Sequence, residues 1–444
     1  MRRVQWSLAA LIAIGAMSPL CAADTLSEAF KNGTIKGEIK IWYWNKTDEA
    51  APALHNESIL NTALELGYKS ADFYGFSLGS TFQANATPFA NDGAKEMFVN
   101  EEYASGAVLS EAYLGYGQGT SELKVGRQYI NTPSISGSYN RIFKESFEGV
   151  TFKNGDIPDT KVFVGYIQKF QGRTSHISGD DAGDAPLFVK KIILAGAGPL
   201  SYAFDGVYSV GLTNRSIPNL TLGAQYTLLR DVASFPASGA VMDDISLYYA
   251  EANYLLPMEG FKLGFDVNYK GSRTGKDLDF KNLEGDMWGL RFSVLDFYGF
   301  GASLAYTTVS SDDDVILGLG NGAGSYTVLP IRGPLVYSGY AGMDSYSLKL
   351  FYDFAQLRIK GLRVEAQYLE ASQDAPSVTT RSTTAGTRSD YKGYSGTINY
   401  AIPALEGLSA QVIYTAFERE MFPVSGASTT IDTDELWVNF SYKF

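Results

Sequence analysis

The chain of 444 residues holds a single cysteine, Cys21, and only two histidines, His55 and His176. The cysteine lies in the opening stretch MRRVQWSLAALIAIGAMSPLCAAD, where Arg2 and Arg3 precede an apolar run from Trp6 to Met17 and the small residues at 21–23 precede Asp24. That order of charge, oil and small side chains reads as a secretory signal peptide over 1–23. Cleavage after Ala23 leaves no thiol, which excludes disulfides and cysteine metal sites. Lipidation of Cys21 is disfavoured because Pro19-Leu20 stands directly before it, where small residues are needed. Both histidines fall in stretches read as long loops with no serine motif nearby, so a nucleophile paired with a general base is not in view and an enzyme is disfavoured. After the leader, no stretch reaches the roughly 18 to 20 apolar residues of a spanning helix. Low-complexity linkers and composition breaks are missing too, so 24–444 reads as one repetitive domain, although about 420 residues would ordinarily suggest two or three. Positive charge is in deficit: the net charge is −12, and loss of Arg2 and Arg3 takes it to −14, which disfavours nucleic acid.

Alternation fills the space those absences leave. In GFKLGFDVNYK, Phe261, Leu263, Phe265, Val267 and Tyr269 alternate with Lys262, Gly264, Asp266, Asn268 and Lys270. A period of two with one oily and one polar face is a strand. The last residues repeat it, with Leu436, Val438, Phe440, Tyr442 and Phe444 against Glu435, Trp437, Asn439, Ser441 and Lys443. The same reading places eighteen strands near 34–45, 58–70, 75–85, 107–117, 121–130, 146–154, 160–171, 203–214, 219–230, 244–256, 260–271, 285–296, 299–310, 343–355, 360–371, 391–402, 407–418 and 433–444, with 186–203 able to hold a different register.

The links between these strands alternate in length. Short ones include GQGTS, SIPN, LPMEG and the pentapeptide DFYGF, which occurs at both 72–76 and 296–300; long ones run over 86–106, 131–145, 172–202 and 311–342. A soluble all-β protein has strands averaging five or six residues and no need for such alternation. An outer-membrane barrel has short periplasmic turns on one side and long extracellular loops on the other. The fold expected is therefore all-β: a transmembrane antiparallel up-and-down β-barrel of about eighteen strands, with its backbone amides satisfied by closure. Sixteen to eighteen strands leave a water-filled bore, and the first strand follows the leader too closely for a plug domain.

On VGRQ (125–128), TP (132–133), NR (140–141), FEGV (147–150), the eighteen-strand layout and the terminal Phe444, the chain resembles the Opr family of outer-membrane porins with its OprD-type channels. The resemblance implies a porin for passive diffusion of ions and small hydrophilic solutes, with 131–145 folded into the pore and a ladder of basic residues guiding small carboxylates. Matched to the family pattern, Arg127 and Arg141 are implicated, and Lys144 by proximity. SGSYNRIF lacks the acidic pair and proline expected around the loop arginine, and Arg127 shares parity with outward Leu123 and Val125, so its lumen placement requires a bulge. Strand parity adds Arg291, Lys349 and Arg363, with Glu145, Glu365 and Asp266 expected on the opposite wall.

The acidic loops SGDDAGD (Asp180, Asp181, Asp184) and SDDDV (Asp312, Asp313, Asp314) read as solvated loop surface; DDAGD does not reproduce a calcium-loop spacing. No motif calls for a cofactor or metal. The expected surroundings are outer-membrane lipid and lipopolysaccharide, with the barrel-assembly machinery reading the strand that ends at Phe444. A homotrimer is compatible with the pattern, as is a monomer. An adhesin or structural surface barrel is the alternative function, separable by whether the protein conducts ions.

Overall fold

The computed structural model describes residues 23–50, 56–179, 181, 183–196, 201–234, 239–331, 337–380 and 384–444. Residues 1–22 of the expected leader, with Cys21, and also His55 and Asp180 lie outside them.

Eighteen long strands meander antiparallel in chain order. They are β1 (Thr34–Asp48), β2 (Asn56–Lys69), β3 (Phe76–Ala90), β4 (Ala104–Gln118), β5 (Ser121–Gln128), β6 (Ser146–Asn154), β7 (Thr160–Gln171), β8 (Gly206–Asn214) and β9 (Leu220–Ser234). The second half holds β10 (Val241–Met258), β11 (Phe261–Thr274), β12 (Asp286–Phe297), β13 (Phe300–Val309), β14 (Met343–Asp353), β15 (Leu362–Gln373), β16 (Arg388–Ala401), β17 (Leu408–Phe422) and β18 (Thr429–Lys443). β1 pairs with β18 from Glu38↔Lys443 to Asp48↔Thr433, which closes the sheet into a barrel. Closure is sealed at the last residue: the amide of Gly37 donates to the carbonyl of Phe444, and that of Phe444 to Gly37, at 2.9 and 3.0 Å. The Phe444 ring covers Gly37 so closely that any β-carbon there would collide with it.

Outward positions are apolar and exposed, as in Ile39, Ile41, Leu290, Phe292, Leu304 and Phe440. Toward the long-loop end they give way to tyrosines whose rings meet at a tilt across neighbouring strands, Tyr166 with Tyr208, Tyr226 with Tyr248, Tyr306 with Tyr346 and Tyr368 with Tyr394. Several hydroxyls donate to carboxylates one step further out, Tyr306 to Asp344 (2.6 Å) and Tyr414 to Asp434 (3.0 Å). Amphipathic rings at that height suit the boundary between hydrocarbon and water.

Both DFYG turns belong to the opposite end. Tyr74 and Gly75 have φ of 53° and 85°, Tyr298 and Gly299 of 50° and 86°, the paired positive values of a tight type I′ hairpin. Glycine removes the steric penalty at the second position, and in the first copy Asp72 accepts from the Gly75 amide at 2.8 Å.

The wall is irregular where 129–145 leaves it. β5 and β6 have only eight and nine residues, and the wall above them is completed by 183–189. There Ala104 and Ser105 pair in parallel with Gly183 and Asp184, and Phe170 and Gln171 pair antiparallel with Val189 and Phe188. Inside the barrel, strand Lys191–Ala195 pairs with Ser201–Ala203 and with Gly318–Leu319, and Ile135 bridges to Leu319. The loops thus build a small sheet across the bore.

That internal sheet has a core of its own. Ile135, Ile177, Ile192, Leu194, Ile316 and Leu319 pack against the inward side chains Phe163, Ile167, Val207, Leu229 and Leu247 of β7–β10. A second cluster joins Trp42, Trp44 and Trp437 to Phe98, Ile142 and Phe143. The inward face was expected to be polar; in the half of the barrel nearer the long loops much of it is apolar, because it meets folded loops instead of water.

Candidate functional site: the lumen and its constriction

Polar wall residues grip the inward loops. Gln225 on β9 accepts from the Ser134 amide (3.1 Å) and donates to Thr132 (2.9 Å); Gln83 on β3 accepts from the Lys144 amide (2.7 Å). Buried Lys270 on β11 donates to the Leu317 carbonyl at 2.8 Å, and Gln367 on β15 to that of Val328 at 2.9 Å. Loop 129–145 is therefore folded into the barrel and tied to several sides of it. Between the loops and the wall lies a cavity of ≈ 700 Å³, bordered by loop residues 136–141, Arg173, Asn321, Gly322 and 328–330 on one side and by Lys349 and Gln367 of the wall on the other. Toward the short-turn end lies a wider cavity of ≈ 1040 Å³ lined by Lys36, Glu38, Glu65, Glu111, Tyr129 and Lys144.

Arg291, Lys349 and Arg363 stand on the lumen face of β12, β14 and β15. Each is held by a carboxylate: Arg291 by Asp266 (2.9 Å), Lys349 and Arg363 both by Glu365 (2.6 and 2.7 Å). The cations are the more exposed members, at 38%, 36% and 42% against 13% for Asp266 and 15% for Glu365. Their guanidinium planes lie on aromatic faces, Arg291 over Tyr326 at 4.5 Å and Arg363 over Phe351 at 3.9 Å. Asp266 and Glu365 were expected on the opposite wall; instead they sit on the same wall and orient the cations, because register places Asp266 directly across from Arg291.

Carboxylates do occur elsewhere around the lumen, at Glu38, Glu65 and Glu111. Lys144 reaches out of the inward loop to Glu38 and Glu65, at 3.0 and 2.9 Å. Burial pushes its pKa down, but the two carboxylates more than offset that and the net shift is upward.

Three expected site residues are placed differently. Arg127 keeps the parity of exposed Val125, opposite Ala112 and Glu148, with no register shift before it. It bonds Glu148 at 3.0 Å and stacks on Phe188 at 4.3 Å on the outer face, so no bulge turns it into the lumen. Arg141 is 1% exposed, enclosed by Trp437, Trp44 and Trp42 at 4.3, 5.0 and 5.7 Å and bonded to Glu101 and Glu102 at 3.2 and 3.5 Å. Burial lowers its pKa to about 9 and raises that of Glu102 to about 7 against the pull of Arg141 and Arg173. Glu145 is fully buried, accepting from the amides of Ser138 (2.9 Å) and Asn321 (2.8 Å).

Arg173, Glu101 and Glu102 were not anticipated, since nothing near them in sequence marks them. One signal was available: Trp42 and Trp44, two residues apart on the inward parity of β1, are too large and apolar for a wall that meets water. Among the acidic loop residues, Asp181, Asp184 and Asp312 are exposed, but Asp314 is buried and accepts from the Ala341 amide at 2.8 Å. His176 is exposed on the turn Ser175–Ser178.

A closed eighteen-strand barrel with an oily exterior, a charged lumen and inward-folded loops defines the chain as an outer-membrane porin, a channel for small solutes. The profile of the family described as outer membrane porin, OprD family, matches residues 73–444, and the chain belongs to that family. No curated protein matches the sequence. Among solved structures it is similar to Acinetobacter baumannii OccAB3 (16% identity, TM-score 0.73, covering 93% of this chain and 100% of that one). It is likewise similar to Pseudomonas aeruginosa OccK9, also called OpdG (16%, 0.72, 94% and 100%), and OccK8, also called OprE (15%, 0.71, 94% and 99%).

Proposed function

We propose that this porin favours small solutes carrying a carboxylate, amino acids among them. The observation that carries the reading is the asymmetry on β11–β15: Arg291, Lys349 and Arg363 present more of themselves to the lumen than the carboxylates that hold them. In a narrow bore with low-dielectric walls, field lines are focused and a solute of opposite sign is steered inward. Glu38, Glu65 and Glu111, on other strands, can meet the ammonium end of an amphoteric solute.

The chain acts in this reading as a passive channel without catalysis. Export depends on residues 1–23, the barrel sits among outer-membrane lipid and lipopolysaccharide, and the assembly machinery engages the last strand through Phe444. Liposome swelling tests the solute preference. Small monocarboxylates are expected to enter faster than uncharged solutes of equal size, and the advantage to disappear when Arg291, Lys349 and Arg363 are changed together to Gln. Equal rates in the unsubstituted protein, or a preference the triple variant keeps, would overturn it.

A further inference from the structure

We propose that Arg173 is a positioning residue that sets the bore, as the hub of a buried ion-pair cluster holding the constriction loops together at the edge of the lumen. Arg173 lies two residues past the end of β7, so its backbone is fixed by the wall. Its side chain is 2% exposed. One guanidinium nitrogen bonds Glu101 of loop 91–103, and Nε lies 3.4 Å from Glu145 of loop 129–145. The neighbouring Thr174 hydroxyl donates to the Val99 carbonyl at 2.7 Å, so the same corner holds loop 91–103 twice.

Glu145 passes the connection on. Besides Arg173 it takes the amides of Ser138 and Asn321, and so joins 129–145 to loop 310–342. Those two loops form one side of the 700 Å³ opening that faces Lys349 and Gln367. Arg141 closes the circuit from the tryptophan pocket by binding Glu101 and Glu102. Loop 91–103, loop 129–145 and the corner after β7 thus meet on two arginines whose charges barely touch water, and Glu145 ties in the fourth segment.

Their role is geometric and not one of charge selection: Arg173 borders the opening, but its charge is matched by Glu101 and Glu145 and its side chain is only 2% exposed, whereas its loss takes the cation from fully buried Glu145. An uncompensated buried charge draws in water and loosens the segment that carries it. Removing Arg173 should therefore widen the opening without changing its sign preference. The inference rests on the channel reading but fails separately from it, since it concerns the size of pores that must first be observed.

The test uses the full-length protein in planar bilayers and liposomes. Arg173→Met is expected to raise single-channel conductance at least twofold and to admit larger uncharged sugars, while the reversal potential in a salt gradient stays where it was. Ser136→Cys with Gly322→Cys supplies a control in a chain whose mature part has no thiol. The Gly322 amide donates to the Ser136 carbonyl at 2.9 Å, so oxidation in the Arg173→Met background should join the two loops and return conductance to the parent level. If Arg173→Met does not assemble, Arg173→Lys, which keeps the charge but loses the two-pronged reach, is expected to give a smaller rise. Assembled channels of unchanged conductance and exclusion limit would overturn the proposal. So would a changed reversal potential with an unchanged exclusion limit, which would make Arg173 a charge-selecting residue.

Discussion

Arg363 and Arg141 both occupy the barrel interior, yet one reaches water beside Phe351 and the other is closed inside three tryptophans. Arg141→Met leaves Glu101 and Glu102 facing one buried cation fewer, and breaking such a pair costs about 3–5 kcal/mol. A clear drop in the temperature at which the folded barrel loses its anomalous electrophoretic mobility should follow, whereas Arg363→Gln should leave that temperature nearly unchanged. Glu102 makes a pH-dependent prediction. Its carboxyl binds a proton more tightly in the folded chain, near 7, than its ordinary 4.5. The unfolded chain thus releases that proton first, and this contribution to stability is full below pH 4.5 and is lost as pH climbs to about 7. Thermal unfolding in detergent should show a fall over that window that Glu102→Gln flattens; an equal fall in the variant assigns the titration to another group. Parity alone made Arg291, Lys349 and Arg363 legible in the sequence, because it needs only neighbours along one strand. Arg141 and Glu145 were illegible in kind, since what buries them comes from positions hundreds of residues apart.

Where β5 and β6 shorten, Gly126 faces Gly149 across the ladder. A β-carbon on Gly149 would stand 2.0 Å from the Tyr166 carbonyl oxygen, and one on Gly126 2.2 Å from that of Ala112. Both obstacles are backbone and cannot rotate away. Gly149→Ala is expected to lower the yield of assembled barrel severalfold, measured as the heat-modifiable fraction in outer membranes, whereas Gly396→Ala, with open space at the β-carbon, should leave it unchanged. The eighteen wall strands were all readable, 146–154 and 160–171 to the residue, whereas the short strands inside 172–203 and 311–342 were not. Extents were poorer toward the long loops. β10 starts at Val241 rather than 244 and β17 runs to Phe422 rather than 418. There the inward set includes Leu247, Ile245 and Phe417, so the two faces no longer differ and the alternation fades.

Across the whole molecule, the chain's first and last strands meet at a seam that Phe444 locks over Gly37. Phe444→Ser should slow assembly and leave more unfolded chain in the periplasm, as read by protease sensitivity. The global charge is acidic, but the surface a solute meets differs from the total: exposed loops carry much of the excess negative charge, while β12–β15 turn cations to the lumen. Composition could show the first and not the second, because it has no inside or outside. The most direct test of the account is the reversal potential of the unsubstituted protein in planar bilayers across a tenfold potassium chloride gradient. The account predicts ion-conducting pores whose reversal potential has the sign of chloride preference and moves toward potassium when Arg291, Lys349 and Arg363 are replaced by Gln. Potassium preference in the unsubstituted protein that the triple variant leaves in place would contradict it.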